Sequence, residues 1–364
     1  MTQTATAPVR PDPQPATAAL FDLLARSWQL PAAVAAVQLD AAGKAAAFAL
    51  TDGRVALAPL DDPDSSISRL RMEFDSGRST IRAREKPVAP PFLTPELSEG
   101  APHLAASGRI GFIAASRDGR IHQLTPRGQM IAMAPAGDPV AAIASDGRGR
   151  LAIARPGRID LHREEGMERL AGLLTPGTAT GLAFTPDGRL AVQCDETLLL
   201  WSPGTEAEQH PLGGTGTPVL SPAGGWLGGS NGRDAFWALR LSDGRAARIG
   251  NFRAAPASIA FAPGDAAVFA SGAFRLAGWS LATPPFDTEA TGALRTGRSG
   301  LVLVERVATH PARDLVAFGT ADGTVAIARS GLPDEMILRH ADGAAVTALI
   351  WSACGLHLAI GTAT

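Results

Sequence analysis

"FTPDGRLAV", Phe184 to Val192, constrains the fold more than any other stretch, because the chain keeps rewriting it. Pro-Asp-Gly is turn chemistry: Pro presets φ, Asp bonds back to its own backbone, and Gly accepts positive φ. Apolar residues flank the turn on both sides. Copies begin at Gly181 ("GLAFTPDGRLAV"), Pro218 ("PVLSPAGGWLGG"), Ser258, Arg306 and Ala348 ("ALIWSACGLHLAIG"). Upstream copies begin at Ala141 and Ala35, with a weaker one at Pro102. Anchored on Phe184, Leu220, Phe261, Thr309 and Trp351, the spacings are 36, 41, 48 and 42 residues.

A period of this size brackets the ~40–45 residues of a four-stranded propeller blade and misses the ~34 of helical tetratricopeptide arrays. Each unit continues alike. A polar turn follows the second strand, then a third apolar strand: "GTADGTVAIA" from Gly319, "ALTDGRVALA" from Ala49, "ASRDGRIHQL" from Ala115. Asp-Gly between apolar runs is the strongest short-range hairpin signal. A more polar fourth strand follows, as in "DEMILRH", Asp334 to His340. The second strands ("RLAVQC", "LVAFGT", "HLAIGT") are rich in Ala and Gly, as strands converging on an axis require. The expected fold is an all-β propeller of seven or eight four-stranded antiparallel blades. Eight units start near Ala33, Ala101, Pro139, Thr178, Thr217, Ala257, Leu303 and Ala344. Seven blades follow if the weak second unit is an insertion. The last unit stops at "GTAT" after two strands, so either that blade is incomplete or the chain is truncated.

These residues resemble the WD-repeat β-propeller family. The last unit, Arg339 to Thr362, carries the likeness best. His340 matches the family's Gly-His position, with Arg339 replacing the Gly, and Val346, Ala348 and Ile350 match its innermost strand. Trp201 and Trp279 match the Trp-Asp position, with Ser202 and Ser280 replacing Asp. Asp322 matches the turn Asp that bonds the His in the family and holds the blade corner. The resemblance implies blade-structural roles for Trp201, Trp279, Asp322 and His340, and a protein-interaction scaffold as the function. The Ala- and Arg-rich, Lys-poor composition reads as GC-rich bacterial coding, hence a divergent bacterial member.

Composition narrows the function classes. The chain is 45% hydrophobic and 19% charged, with net charge −2. That balance exerts no global pull on nucleic acid or anionic membrane. The two cysteines, Cys194 and Cys354, have no second Cys nearby, which speaks against a disulfide framework or a Cys-rich zinc site. No stretch approaches the ~18 uninterrupted apolar residues of a membrane span, and the start lacks the order of a secretory signal. A cytoplasmic location is expected.

Three segments depart from the repeat. Residues 1–16 are Ala/Thr/Pro-rich and expected to be disordered. Residues 17–30 read as an amphipathic helix, with Leu20, Leu24 and Trp28 at i, i+4 and i+8, stopped by Pro31. Its apolar face serves either the propeller rim or a partner. The domain 31–364 is the propeller, with an insertion at about 61–100. There, in "SRLRMEFDSGRSTIRAREK", Leu70, Met72 and Phe74 alternate with Arg69, Arg71 and Glu73, and Asp75-Ser76-Gly77 is a turn. This predicts an outer hairpin with a basic face, followed by a Pro-rich loop, Pro87 to Gly100. The partner-binding candidates are Arg69, Arg71, Arg78, Arg82, Arg84 and Lys86. The bland alternative is a solvated outer strand, because edge strands need charge. An acidic protein surface suits the hairpin better than nucleic acid, since acids interrupt the basic residues and Phe74 is the sole aromatic.

Tests for chemistry return little. "GGSNG", Gly228 to Gly232, spells a nucleophile elbow, but Ser230 lies between two strands and the motif needs a strand-to-helix turn. "GGTGTP" from Gly213 lacks the Lys-Ser/Thr of a phosphate loop. The seven His residues are scattered without metal-ligand spacing, and Asp187 stands alone where calcium loops supply several oxygens. No catalytic, cofactor or metal residue is assigned. The expectation is a non-catalytic scaffold for one or more proteins. The alternative is a metal-assisted hydrolase or lactonase with its site at one channel mouth, and a small molecule in the channel stays open as a ligand. A third reading is a structural component of a larger complex, docked through the amphipathic helix.

Overall fold

The computed structural model describes residues 20–72 and 79–364. It divides into two compact units: residues 28–62 with 89–364, and the described residues of 1–27 with 63–88.

In the larger unit, the Pro186-Asp187-Gly188 turn joins the first strand of a blade (Ala179–Phe184) to the second (Leu190–Cys194). Phe184 pairs with Leu190. The Thr185 N–H donates to Arg189 O and the Gly188 N–H to Thr185 O, both at 2.9 Å. Gly188 sits at φ 85°, which an L side chain adopts only under strain. The Asp187 carboxylate accepts from the Thr185 hydroxyl and from Arg189 Nε. Burial pushes its pKa up, but those bonds outweigh burial and hold the carboxyl below the usual range.

Seven four-stranded antiparallel sheets follow one another along this unit, and a two-stranded sheet comes last. Their innermost strands are Val34–Leu39, His103–Ala106, Ala142–Ser145, Ala179–Phe184, Thr215–Leu220, Ile259–Phe261, Val304–Thr309 and Val346–Trp351. We number the blades one to eight in that order. The weak second unit is therefore a full blade and not an insertion. Blade eight consists of Val346–Trp351 and Leu358–Thr362. Its inner strand packs against those of blades seven and one, and the Thr347 hydroxyl donates to Val34 O at 2.5 Å, closing the ring.

The small residues of the second strands have a specific use. A Cβ on Gly319, in the second strand of blade seven, would lie 2.5 Å from Val346 of blade eight. Gly361 meets Val34 of blade one in the same way, at 2.4 Å. Between the other neighbouring blades lie apolar clusters, such as Ala152, Leu161, Leu182 and Val192 between blades three and four. Seven clusters cover seven of the eight seams. Among the described residues the seam between blades seven and eight has none. Its contacts include Val346, 1% exposed against Gly319, the His310 and Trp351 rings with centroids 4.9 Å apart, and Arg306 Nε donating to Thr347 O at 2.6 Å.

Two boundaries differ from expectation. The excursion does not follow blade one but interrupts it: Phe92–Leu93, inside the Pro-rich stretch read as loop, is the fourth strand of blade one. A two-residue strand after Pro90 and Pro91 shows no alternation to read. The helix spans Leu20–Leu24, and residues 25–30 carry no regular structure. Trp28 belongs to the larger unit, where it packs with Leu30 on the core of blade one and its Nε1 donates to Ala89 O at 2.8 Å. The helical spacing of Leu24 and Trp28 thus spans two units rather than one helix face. The tail expected at 1–16 lies outside the described residues.

Candidate interaction surface

The smaller unit holds the predicted hairpin, formed by Leu70–Met72 and Ser79–Ile81 with Leu70 opposite Ile81. The Asp75-Ser76-Gly77 turn and Arg78 lie outside the described residues. Arg69 is not on a basic face. It is 2% exposed, and its guanidinium donates to Leu23 O and Arg82 O at 2.6 Å and to Asp64 O at 3.1 Å. Five donors in a fixed fork suit a residue that ties three backbone segments together, so Arg69 positions the unit. Arg82 pairs with Glu85 at 3.2 Å and Arg84 with Asp64 at 3.7 Å. Arg71 and Lys86 are exposed. The alternation is inverted at this point: the arginine is inside, while Ile67 and Met72 are 77% and 63% exposed.

Trp201 and Trp279 are buried in the third strands of blades four and six, and Trp279 Nε1 donates to Glu289 O. Asp322 occupies the turn between the second and third strands of blade seven. Its carboxylate accepts from the Thr320 hydroxyl at 2.5 Å and the Thr324 N–H at 3.0 Å. The Thr320 bond holds this carboxyl below the usual range. The bond to His340 that the family likeness implies is not formed among the described residues, and His340 is exposed. Arg339 takes over the corner: its guanidinium reaches Gly323 O at 2.7 Å and the Asp342 carboxylate. The residue that replaces the family's Gly thus supplies the tie the His would have made.

Ser230 ends a strand and its hydroxyl accepts from the Gly232 N–H at 3.1 Å, closing a turn rather than an elbow. Among the described residues no three His, Cys, Asp or Glu side chains gather as metal ligands. His103 and His122 have lowered pKa values, chiefly through burial. His310 Nδ1 accepts from the Ala312 and Arg313 N–H groups, so this ring caps its own turn.

One cluster was not gathered from the sequence. Asp160, buried in the third strand of blade three, accepts from Arg158 Nε at 3.0 Å and Arg169 Nε at 3.1 Å, with Arg155 Nε 3.5 Å away. With Asp138 and His162 these residues line an open cleft of about 520 Å³. The Arg158 guanidinium beside Asp138 holds that carboxyl below the usual range. The signal in the sequence is the alternation Arg158, Asp160, His162 along one strand face. Both carboxylates are paired, and three arginines against two acids leave the cluster net positive.

No family model and no curated protein matches the chain. Among solved structures it is similar to a chain of the mitotic checkpoint complex, at 13% identity and a TM-score of 0.55, covering 71% of this chain and 82% of that one. It is also similar to U3-55K at 12% identity, with a TM-score of 0.47 and coverage of 92% and 90%. The RRP9 WD40 repeats align at 13% identity, with a TM-score of 0.47 and coverage of 92% and 89%. The likeness at this identity is one of fold, and the propeller implied by the WD-repeat resemblance is the fold observed.

Proposed function

We propose that this propeller is a non-catalytic protein-interaction scaffold acting in the cytoplasm. One observation carries the reading. Blade one is interrupted by a separate compact unit that exposes the apolar Ile67 and Met72 and also the cationic Arg71 and Lys86. Exposed apolar side chains set among cations are what a protein partner buries, and Met and Arg are enriched at such interfaces. A rigid ring supports the reading because it presents loops without rearranging. The two free thiols suit a reducing compartment. Among the described residues no helix is long and apolar enough to cross a membrane. The hydrolase alternative gains no support from Ser230 or from the histidines.

The test is quantitative capture from the native host with the full chain and with residues 63–88 replaced by a Gly-Ser linker. The expected result is that at least one protein held by the full chain is lost from the replaced chain. The melting temperature of the ring should stay unchanged. Equal retention of every captured protein would overturn the hairpin as the docking element.

A further inference from the structure

A second surface, on the larger unit and independent of the hairpin, is built from loops that the sequence shows only as scattered turns. Four connections of blades five to seven carry Arg233, Arg253, Arg275 and Arg298. Backbone hydrogen bonds set these connections side by side. The Phe252 N–H donates to Asp234 O at 3.0 Å, the Arg253 N–H to Gly272 O at 3.1 Å, and the Gly300 N–H to Phe274 O at 2.9 Å. All four arginines are exposed, and among the described residues none of their guanidinium groups has a partner.

In the corresponding connections elsewhere most arginines are paired, although the exposed Arg117 of blade two has no guanidinium partner among the described residues. Arg54 pairs with Asp52 at 3.3 Å and Arg120 with Asp118 at 2.7 Å, while Arg158 and Arg339 pair with Asp138 and Asp342. Here residues 231–235, 250–254, 271–276 and 296–303 hold the four arginines against a single acid, Asp234. Two further carboxylates lie alongside, Glu335 accepting from the Arg298 backbone N–H at 3.0 Å and Glu289 from the Gly250 backbone N–H at 2.9 Å. Two large apolar side chains stand among the cations: Phe274, exposed, and Leu301, 96% exposed.

We propose that this face docks an acidic protein segment carrying apolar side chains. Its carboxylates would meet the four guanidinium groups, and its apolar residues would cover Phe274 and Leu301. Charge complementarity selects the occupant. Unpaired arginines lose no internal ion pair on binding, and Arg engages carboxylates through two parallel hydrogen bonds. Nucleic acid fits less well, because Leu301 offers no stacking plane, Phe274 offers only one, and the chain as a whole carries net charge −2.

Fluorescence anisotropy on the full chain tests this with three labelled probes of equal length. One is a peptide alternating Glu or Asp with Leu or Phe, one is its Gln/Asn counterpart, and one is oligo-dT. The acidic peptide should bind in low salt, weaken as salt rises, and bind more tightly than either other probe. R233Q/R253Q/R275Q/R298Q should weaken it about tenfold or more. F274S/L301S should weaken it while keeping the salt dependence, and R54Q/R120Q should leave it unchanged. All three variants should melt like the parent. The proposal is overturned by the absence of peptide binding, by a four-arginine variant that binds like the parent, or by equal weakening in R54Q/R120Q. Tighter binding of oligo-dT through the same four arginines would make the face a nucleic-acid site instead.

Discussion

At the scale of single residues, burial separates the two thiols. Cys194 is 1% exposed, and burial, helped by the Asp195 charge, pushes its pKa up to about 11. Cys354 is exposed, and the bond to Ser352 with the Leu356 N–H lowers its pKa. A thiolate is the reacting species, so a maleimide at pH 7.5 should modify Cys354 in the native chain and reach Cys194 only in denaturant, as read by peptide mass mapping. A linked stability effect follows. The native chain keeps the Cys194 proton above the ordinary value of 9.0, where the unfolded chain releases it. Its contribution is therefore fully present below about pH 9 and is lost as pH rises toward about 11. The chain has no Tyr, and its only lysines are Lys44 and Lys86, so few other side chains titrate in that window. The melting temperature should fall from pH 9 to 11, and Cys194→Ala should flatten the fall. An unchanged slope in the variant would refute the burial account. Sequence placed Cys194 in a strand correctly, but burial of its thiol depends on Trp201, Leu182 and blade three around it, which no local pattern reveals.

At the scale of elements, the sequence was legible where local chemistry decides geometry. Pro-Asp-Gly and Asp-Gly turns fix their own φ and their own hydrogen bonds, so the opening turn and the second-to-third-strand hairpins appear where the residues put them. It was illegible where a contact from outside decides. Phe92–Leu93 is a strand because Leu57 and Ala56 pair with it. Arg69 is buried because three carbonyls converge on it, although its neighbours alternate like an exposed basic strand. Arg69→Ala should cost the smaller unit on the order of 3 kcal/mol, from the loss of charged hydrogen bonds. Limited proteolysis should then cut within 63–88 while the ring's melting temperature holds. A cleavage pattern like the parent's would show that Arg69 does not organise the unit. Between blades, Gly319→Ala places a methyl against Val346. Overpacking of this kind costs about 1–3 kcal/mol, so urea denaturation should show a lower midpoint with an unchanged slope.

At the scale of the whole ring, the repeat period revealed that blades follow one another, but not how strongly each seam holds. That strength is set by side chains from different blades, far apart in sequence. Seven seams are closed by apolar clusters, and the seam between blades seven and eight combines one buried aliphatic contact, Val346 against Gly319, with a ring pair and a polar bond. Burial lowers the Arg306 pKa there, with Glu305 opposing, so the seam contains a partly desolvated cation where the others contain aliphatic packing. The apolar burial term of about 25 cal/mol per Å² is therefore smaller at this seam, where Val346 against Gly319 is its main aliphatic contact. Local opening should begin where the fewest apolar contacts oppose it. Native-state hydrogen exchange should find the amides of Val346–Trp351 and Leu358–Thr362 opening at lower free energy than those of Leu151–Ala154 or Leu190–Cys194. Thr347→Val removes the hydroxyl that joins blade eight to Val34. It should lower the opening free energy of blade eight by about 1 kcal/mol and leave the second strands of blades three and four unmoved. If blade eight exchanges as slowly as those strands, or if Thr347→Val lowers protection evenly around the ring, then the seam is not where opening starts and its mixed contacts hold it as firmly as the apolar clusters hold the rest.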